Sequence, residues 1–592
     1  MKRIISVTVK PLIRRAGRRL ALSLGQLVWL TLAANILPGS AYGQQPEHAV
    51  NGPVAGPAHQ SGLECIGKLQ PRRSEQIDGS RWGVSCHWIA DKHELPVEKQ
   101  LEQLAWLGAK WVLLCPDWDR IETEKGKYDW NSSAHCFDDA VAGMAARRIA
   151  PVIQVYGGNR LYMPFEPDPN GRPLADAAKL LDDPGVRDAW RRFLEALVDR
   201  YHDRVKVWEI WNEPNYSGFW MRETTVQEYG RLVAEAAAVI RRVDPEAVIL
   251  AGSTAMVPLD FAQGFLASDG ADSFDHWSVH PYGELPEQQN KSIASVQKLL
   301  SEHGKSPVFW QSECGFPSSA YTGGWGYGGP WDETKHAKWV LRRLLSDAML
   351  GAQASIYFVL NDYPCLLEGG PDKGKMGVNR KGLYAAESWT PKPAAHAYRN
   401  LAGLIDDRFE ASPAPVTVQV VDGGSFGQTA ADSVSIFTLR EKATGSPMVV
   451  YWLAVPMQTE LSLGKITLGI EAQRLEDAIL VDLLDGRVYQ VPPPRDAGGT
   501  ATFENLPLSD SPLVLCARAV VEPLVVAGQR RLLRHGWQMQ SSVLVPEDGS
   551  QISTASYTPR QWHNTSAPST VLSVLVKNGI YPDPRTGLNS CQ

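Results

Sequence analysis

Eight times between residues 82 and 360 a short apolar run gives way to a stretch with helical spacing, and few folds accept that order. The runs are residues 82–86, 111–114, 151–156, 205–211, 248–252, 276–280, 308–311 and 355–360. In one intervening stretch Val186, Trp190, Phe193, Leu194, Leu197 and Tyr201 recur at spacings that share one helix face. Another covers 97–107 and stops at Gly108, a residue suited to a helix C-cap. Strand-then-helix repeated eight times predicts an α/β chain, a closed parallel (β/α)8 barrel. The alternative is a doubly wound open sheet, which places a phosphate-binding glycine loop after its first strand. Gly83-Val84-Ser85-Cys86-His87 is no such loop. The glycines of 323–329 lack the Lys-Ser/Thr ending of a P-loop and read as an aromatic-bearing loop.

The barrel is assigned to 80–405. Beyond it, short β-rich runs at 434–439, 448–455, 478–483 and 513–517 alternate with turn residues and predict a β-sandwich over 406–525. Before it, 44–79 is polar with scattered Pro and Gly, and reads as a linker. Lys2, Arg3, Lys10, Arg14, Arg15, Arg18 and Arg19 precede an apolar run from Leu20, and small residues follow at Ala41-Tyr42-Gly43. That order predicts an export signal over 1–43, with an uncleaved anchor as the other reading. No later run approaches the roughly 18 apolar residues of a spanning helix. The expected location is secreted, periplasmic or cell envelope.

A formal net charge of −6 offers no basic field for nucleic acid or an anionic membrane. Export permits disulfides, but the eight cysteines form no CxxC pair and no zinc spacing, and their pairing stays open. Neither a metal nor a cofactor is called for. Twenty Trp residues suit stacking on sugar rings as well as core packing.

Two carboxyls stand out. Glu213 ends the fourth run in Val207-Trp208-Glu209-Ile210-Trp211-Asn212-Glu213-Pro214, and Pro214 stops the strand there. Glu313 ends the seventh in Val308-Phe309-Trp310-Gln311-Ser312-Glu313. A parallel barrel places its chemistry at the C-terminal ends of its strands. Two carboxyls about 5–5.5 Å apart there suit glycoside cleavage with retention, one as acid and one as nucleophile. Glu209 lies deeper on the same side of its strand and reads as a buried structural carboxyl.

Asn-Glu-Pro at strand four with Glu at strand seven resembles the clan A glycoside hydrolases, most like family 39, with family 5 as the near rival. The resemblance covers about 82–404, over half the chain. It implies Glu213 as acid/base, Glu313 as nucleophile and Asn212 on the sugar 2-hydroxyl. His280-Pro281-Tyr282 is similar to the clan's His-x-Tyr element, in which the Tyr hydroxyl bonds the nucleophile. Asp117-Trp118-Asp119-Arg120 resembles the segment after strand two, which makes Arg120 a candidate rim cation. His87 after strand one, Trp310, and Asn361 after strand eight are further candidate sugar ligands. Trp220, Trp325 and Trp331 read equally as sugar platforms or packing. One departure stands: many clan members present a Trp from strand eight, and 356–361 contains none.

The implied function is a retaining glycoside hydrolase acting on a polysaccharide or oligosaccharide. The alternatives are a non-catalytic carbohydrate-binding protein on the barrel scaffold and a cell-envelope scaffold. Family 39 relatives differ in substrate, so sugar, linkage and exo or endo action stay open, as does oligomeric state. The tail 526–592, with Gly536-Trp537 and Tyr581-Pro582-Asp583-Pro584, is similar to the start of the sugar-binding domain of family 2 glycoside hydrolases, and its end at Gln592 suggests a truncated fusion.

Overall fold

The computed structural model describes residues 52–87, 89–90, 95–132, 135–167, 173–175, 178–220, 225–319, 331–366, 375–386, 388–471, 475, 477–497, 499–521, 524–527, 537–540, 545, 557–558, 561–565, 571–578 and 580. The expected export signal, Trp325 with the glycines of 323–329, and Cys591 lie outside the described residues.

Eight parallel strands close a barrel in chain order: Trp82–Ser85, Trp111–Leu114, Ala150–Val155, Val207–Ile210, Val248–Ala255, His276–His280, Phe309–Cys314 and Ser355–Tyr357. The eighth pairs with the first, Ile356 opposite Gly83. Inward side chains near the strand starts pack one another: Leu113, Val152, Val207, Leu250, Trp310 and Ile356. Helices close the outside because their apolar faces have nowhere else to go. Pro184–Tyr201 buries Val186, Trp190, Phe193, Leu194, Leu197 and Tyr201, as the periodicity predicts, and Asp183 caps its first N–H groups. Val226–Val243 starts with a reciprocal Thr225/Glu228 capping box.

Two antiparallel sheets follow. One has eight strands, with Val434–Glu441, Pro447–Leu453, Leu513–Ala517 and Ala478–Asp482 adjacent in that order. The other has four, ordered Val416–Asp422, Gly464–Glu471, Thr500–Leu508 and Arg495–Ala497. Their facing side chains, among them Tyr451, Leu468, Leu480, Phe503 and Leu515, form a second core.

The linker reading of 44–79 needs correction. Cys65–Leu69 is a strand of the eight-stranded sheet, antiparallel to both Arg487–Gln490 and Val525–Ala527. Its partners lie far along the chain, so the local composition carries no trace of the pairing. Before it, Ala58 N–H donates to Asp482 Oδ2 at 3.0 Å and Gly56 N–H to Asp485 Oδ2 at 2.8 Å.

The helix Glu333–Met349 joins barrel to sheets through buried charge. Lys338 Nζ donates to Asp510 Oδ1 at 2.8 Å and to the Gln458 carbonyl at 2.7 Å. Arg342 forks onto Glu287 at 2.8 and 2.7 Å, and Trp452 Nε1 donates to the same carboxylate at 2.6 Å. In the tail, Trp537–Met539 pairs with His563–Thr565, and Val571–Lys577 is a helix. Among the described residues no helix is long and apolar enough to cross a membrane.

Candidate active site

Alternation alone would not bring the two glutamates together. On the seventh strand Trp310 and Ser312 point inward, so Glu313 would face the helices. An irregularity between Gln311 and Cys314 turns it in: three residues of this strand span two of its neighbour, Gln311 facing Ser355 and Cys314 facing Tyr357. A β-bulge re-aims side chains in this way beside many active sites. Gly315 is obligatory next to it, since a Cβ there would sit 1.7 Å from the Phe358 carbonyl oxygen. On the fourth strand the re-aiming is conformational, with Trp211 at φ 70° and Glu213 at φ 43°. Left-handed backbone at such residues costs on the order of 1 kcal/mol each. Local contacts hold it: Glu213 N–H donates to the Ser253 carbonyl at 2.9 Å, and the buried Trp211 ring packs edge-on against Trp220.

The result is a compact pair of acids. Carboxylate oxygens of Glu213 and Glu313 and a ring nitrogen of His280 lie within 4.8 Å of one another. His280 Nδ1 is 3.1 Å from Glu213 Oε1. Tyr282 donates its hydroxyl to Glu313 Oε1 at 2.8 Å. His87 Nε2 lies 3.8 Å from Glu313 Oε2, and its Nδ1 is 2.9 Å from Ser85 Oγ. Gln154 Nε2 donates to Asn212 Oδ1 at 3.1 Å, and the same amide hydrogen-bonds His87. Asn212 is thereby fixed with Nδ2 as the end able to donate to a ligand.

Burial and neighbouring charge act on the groups of this cluster. Burial raises Glu213 above the ordinary glutamate value, and the charge of Glu313 adds to this, while His280 and Lys381 pull the other way. Burial also acts to lower His280, but the neighbouring carboxylates of Glu209 and Glu213 and the charge of Glu313 more than offset it, pushing the imidazole up to about 10. Three carboxylates crowd one imidazole, so the cluster retains protons that isolated groups would release. Burial, then the charge of Glu313, keeps Tyr282 a phenol and therefore a donor. Burial lowers His87, which is the neutral imidazole of the site.

The structure gathers Glu213, Glu313, Asn212, His280, Tyr282 and His87 in one place, and three other expected ligands elsewhere. Trp310 belongs to the packing at the strand starts, its ring 5.1 Å from that of Trp111, because it lies three residues before the rim. Asn361 lies beyond the regular strand Ser355–Tyr357, where regular alternation no longer aims a side chain. Its Nδ2 donates to Gln103 Oε1 of the helix Val97–Leu107 at 3.1 Å. Arg120 pairs with Asp117 at 3.0 Å at the start of a short helix. Trp220 and Trp331 are core residues, the latter against Phe316.

Gln154, Ser312 and Phe358 escape the sequence reading. Phe358 supplies an aromatic ring where strand eight lacks Trp, 5.8 Å from the His87 ring and under the Lys381 ammonium. Gln154 carries a faint signal, a polar residue in the otherwise apolar third run.

A family model described as glycosyl hydrolases family 39 matches residues 179–310, a span that includes Glu213, His280 and Tyr282. No curated protein matches the chain. Among solved structures, the chain is similar to a family 39 glycoside hydrolase from the gut symbiont Bacteroides cellulosilyticus WH2, at 18% identity over 75% of this chain and 82% of that one, with a TM-score of 0.53. A monomeric beta-xylosidase from Caulobacter crescentus CB15 matches at 15% identity over 76% and 97% of the chains, with a TM-score of 0.47. The GH39 enzyme from Xanthomonas axonopodis pv. citri matches at 16% identity over 76% and 95%, with a TM-score of 0.45. The chain resembles the clan A glycoside hydrolases, most like family 39, and the matched segment on this barrel supports glycosidase activity.

Proposed function

We propose that this protein is a retaining glycosidase that cleaves a polysaccharide or oligosaccharide outside the cytoplasm, with Glu213 as acid/base and Glu313 as nucleophile. The observation that carries the reading is the approach of the two carboxyls to within 4.8 Å. That approach accords with the about 5–5.5 Å spacing of retaining pairs, whereas inverting pairs stand about 6.5–9.5 Å apart.

In the first step Glu313 attacks the anomeric carbon while Glu213 gives its proton to the departing glycosidic oxygen. A glycosyl ester on Glu313 results, and Glu213 is left ionised. In the second step Glu213 takes a proton from water, whose oxygen attacks the same carbon and releases Glu313 as a carboxylate. The buried, raised Glu213 suits the first proton transfer. The Tyr282 hydroxyl stabilises the charge on Glu313, and the oriented Asn212 amide offers a donor to a sugar hydroxyl. His87 and Phe358 would line the sugar subsite beside Glu313. The basic segment followed by an apolar run at the N-terminus supports export.

The test is sugar release by the mature protein across a panel of aryl glycosides and polysaccharides, beside Glu313→Ala, with the anomer of the first product read by proton NMR. Turnover that vanishes in the variant, with retained configuration, is expected. Turnover that survives the substitution refutes the nucleophile assignment, and an inverted product refutes the mechanism. Saturable sugar binding with no release from any substrate would favour the carbohydrate-binding alternative.

A further inference from the structure

Beneath the two acids lies a third carboxyl that the proposed reaction does not use. Glu209 is fully buried in the barrel. Its Oε1 accepts from Ser253 Oγ of the fifth strand and from Ser312 Oγ of the seventh, the latter at 2.6 Å. Ser312 Oγ also lies 2.6 Å from Ser278 Oγ and 3.1 Å from His280 Nε2. His280 Nε2 itself is 3.9 Å from Glu209 Oε1. His280 thus stands between two carboxyls, Glu213 above and Glu209 below.

Counting hydrogens fixes one of the two ring nitrogens of His280. A serine hydroxyl has one hydrogen and two lone pairs. Ser312 gives its hydrogen to Glu209, so its contacts with Ser278 and His280 must both be accepted. Nε2 of His280 therefore carries a hydrogen. Nδ1 faces Glu213 Oε1 at 3.1 Å. Where that oxygen accepts, both ring nitrogens donate and His280 is an imidazolium.

We propose that Glu209 is a positioning residue: its buried charge, relayed by Ser312, holds His280 as a double donor and so confines the acid/base proton of Glu213 to Oε2. This rests on the assignment of Glu213 as the acid/base. While Oε1 is occupied by the imidazolium N–H, a proton arriving on Glu213 has only Oε2, the oxygen left to meet a leaving group. Were His280 neutral, its Nδ1 would accept that proton and turn it away from the substrate. The titratable and charged groups facing this pair are Glu209 and Glu213 from the fourth strand, Glu313 from the seventh, the neutral His87 from the first and Lys381 from the segment after the eighth. Glu209 is the one among the carboxyls that neither attacks nor transfers a proton in the proposed cycle. It can therefore hold His280 charged in every state of the reaction. A buried anion also needs a counter-charge, which His280 supplies.

Nitrogen-15 NMR of histidine-labelled full-length protein tests this directly, with His280→Gln identifying the resonances. In the wild type both nitrogens of His280 stay protonated to at least about pH 8, well above the ordinary histidine value. In Glu209→Gln the imidazolium is lost at a pH lower by about one unit or more. The alkaline limb of kcat/KM moves down with it. Activity on an alkyl glycoside, whose leaving group needs protonation, falls further than on a dinitrophenyl glycoside. A purely structural role would leave the limb in place and depress both substrates equally, and that result overturns the proposal. So does a wild-type His280 that is neutral at pH 7. Should Glu209→Gln fail to fold, Ser312→Ala keeps the charge and removes the relay; an unchanged His280 titration in that variant refutes the idea. Turnover surviving in Glu313→Ala would sink the functional reading, whereas the NMR result stands without it.

Discussion

Tyr282→Phe removes one hydroxyl and leaves the ring that packs under the Lys381 ammonium at 4.7 Å. The lost bond is the 2.8 Å contact to Glu313 Oε1, made between buried partners. A hydrogen bond to a charged group is worth about 1.5–3 kcal/mol. That corresponds to about 10- to 150-fold in rate. The two steps should not share the loss equally. Glu313 spends its charge in the first step and regains it in the second, and the Tyr282 hydroxyl favours the charged form. Its removal therefore weighs on deglycosylation, in which the carboxylate departs. Stopped-flow mixing with a dinitrophenyl glycoside should show a burst of about one phenolate per active site, followed by a steady state slower by the same factor. KM should fall together with kcat, because the glycosyl-enzyme accumulates. A uniform loss with no burst would mean that Tyr282 holds the sugar and does not stabilise the nucleophile. Wild-type rates would mean that its hydroxyl is dispensable to Glu313, and the reasoning from geometry would fail.

Glu213→Ala should cost about 10²- to 10⁴-fold on alkyl glycosides and far less on dinitrophenyl glycosides, with azide restoring turnover; equal losses on both would argue against a proton donor. Stability should fall with rising pH across the site. A histidine raised from 6.5 to about 10 in the fold contributes fully below the lower value and loses that contribution as pH rises through the upper one. The raised Glu213 acts with the same sign over its own lower range. Thermal midpoints measured between these limits should therefore decline, and His280→Gln should flatten the slope. At the joint between barrel and sheets, Lys338→Met leaves the buried Asp510 without its ion-pair partner and should cost about 3–5 kcal/mol in chemical denaturation. Adding Asp510→Leu should recover much of it; a single variant as stable as the wild type would show that the pair is not holding the joint.

The barrel was legible because its strands and helices differ in period, and the positions of Glu213 and Glu313 follow from where two strands end. What alternation could not supply was direction. Trp310 and Glu313 lie three apart on one strand, and only the bulge after Gln311 puts Glu313 at the cleft while Trp310 stays in the floor packing. Gln154 left only a faint signal and Ser312 none for a related reason: each matters through a partner on another strand. Asn361 looked like a rim residue by its distance from strand eight, but its side chain turns to Gln103 of the helix Val97–Leu107. The segment before the barrel misled in a different way, since a strand of Cys, Ile, Gly, Lys and Leu has no apolar alternation to betray it.

That first strand ties the making of the protein to its shape. Cys65–Leu69 is among the earliest described residues to leave the ribosome, yet its neighbours in the sheet, Arg487–Gln490 and Val525–Ala527, are among the last. The bond from Ala58 to Asp482 spans 424 residues. Contacts of such separation form late, after shorter loops have closed. The barrel can assemble as synthesis proceeds, but the eight-stranded sheet stays open until residue 527 has emerged. During that interval Cys65–Leu69 is a strand without partners, exposed to any other chain that offers an edge. A chain begun at residue 80 would lack the strand that joins Arg487–Gln490 to Val525–Ala527 and would leave a gap in the sheet there.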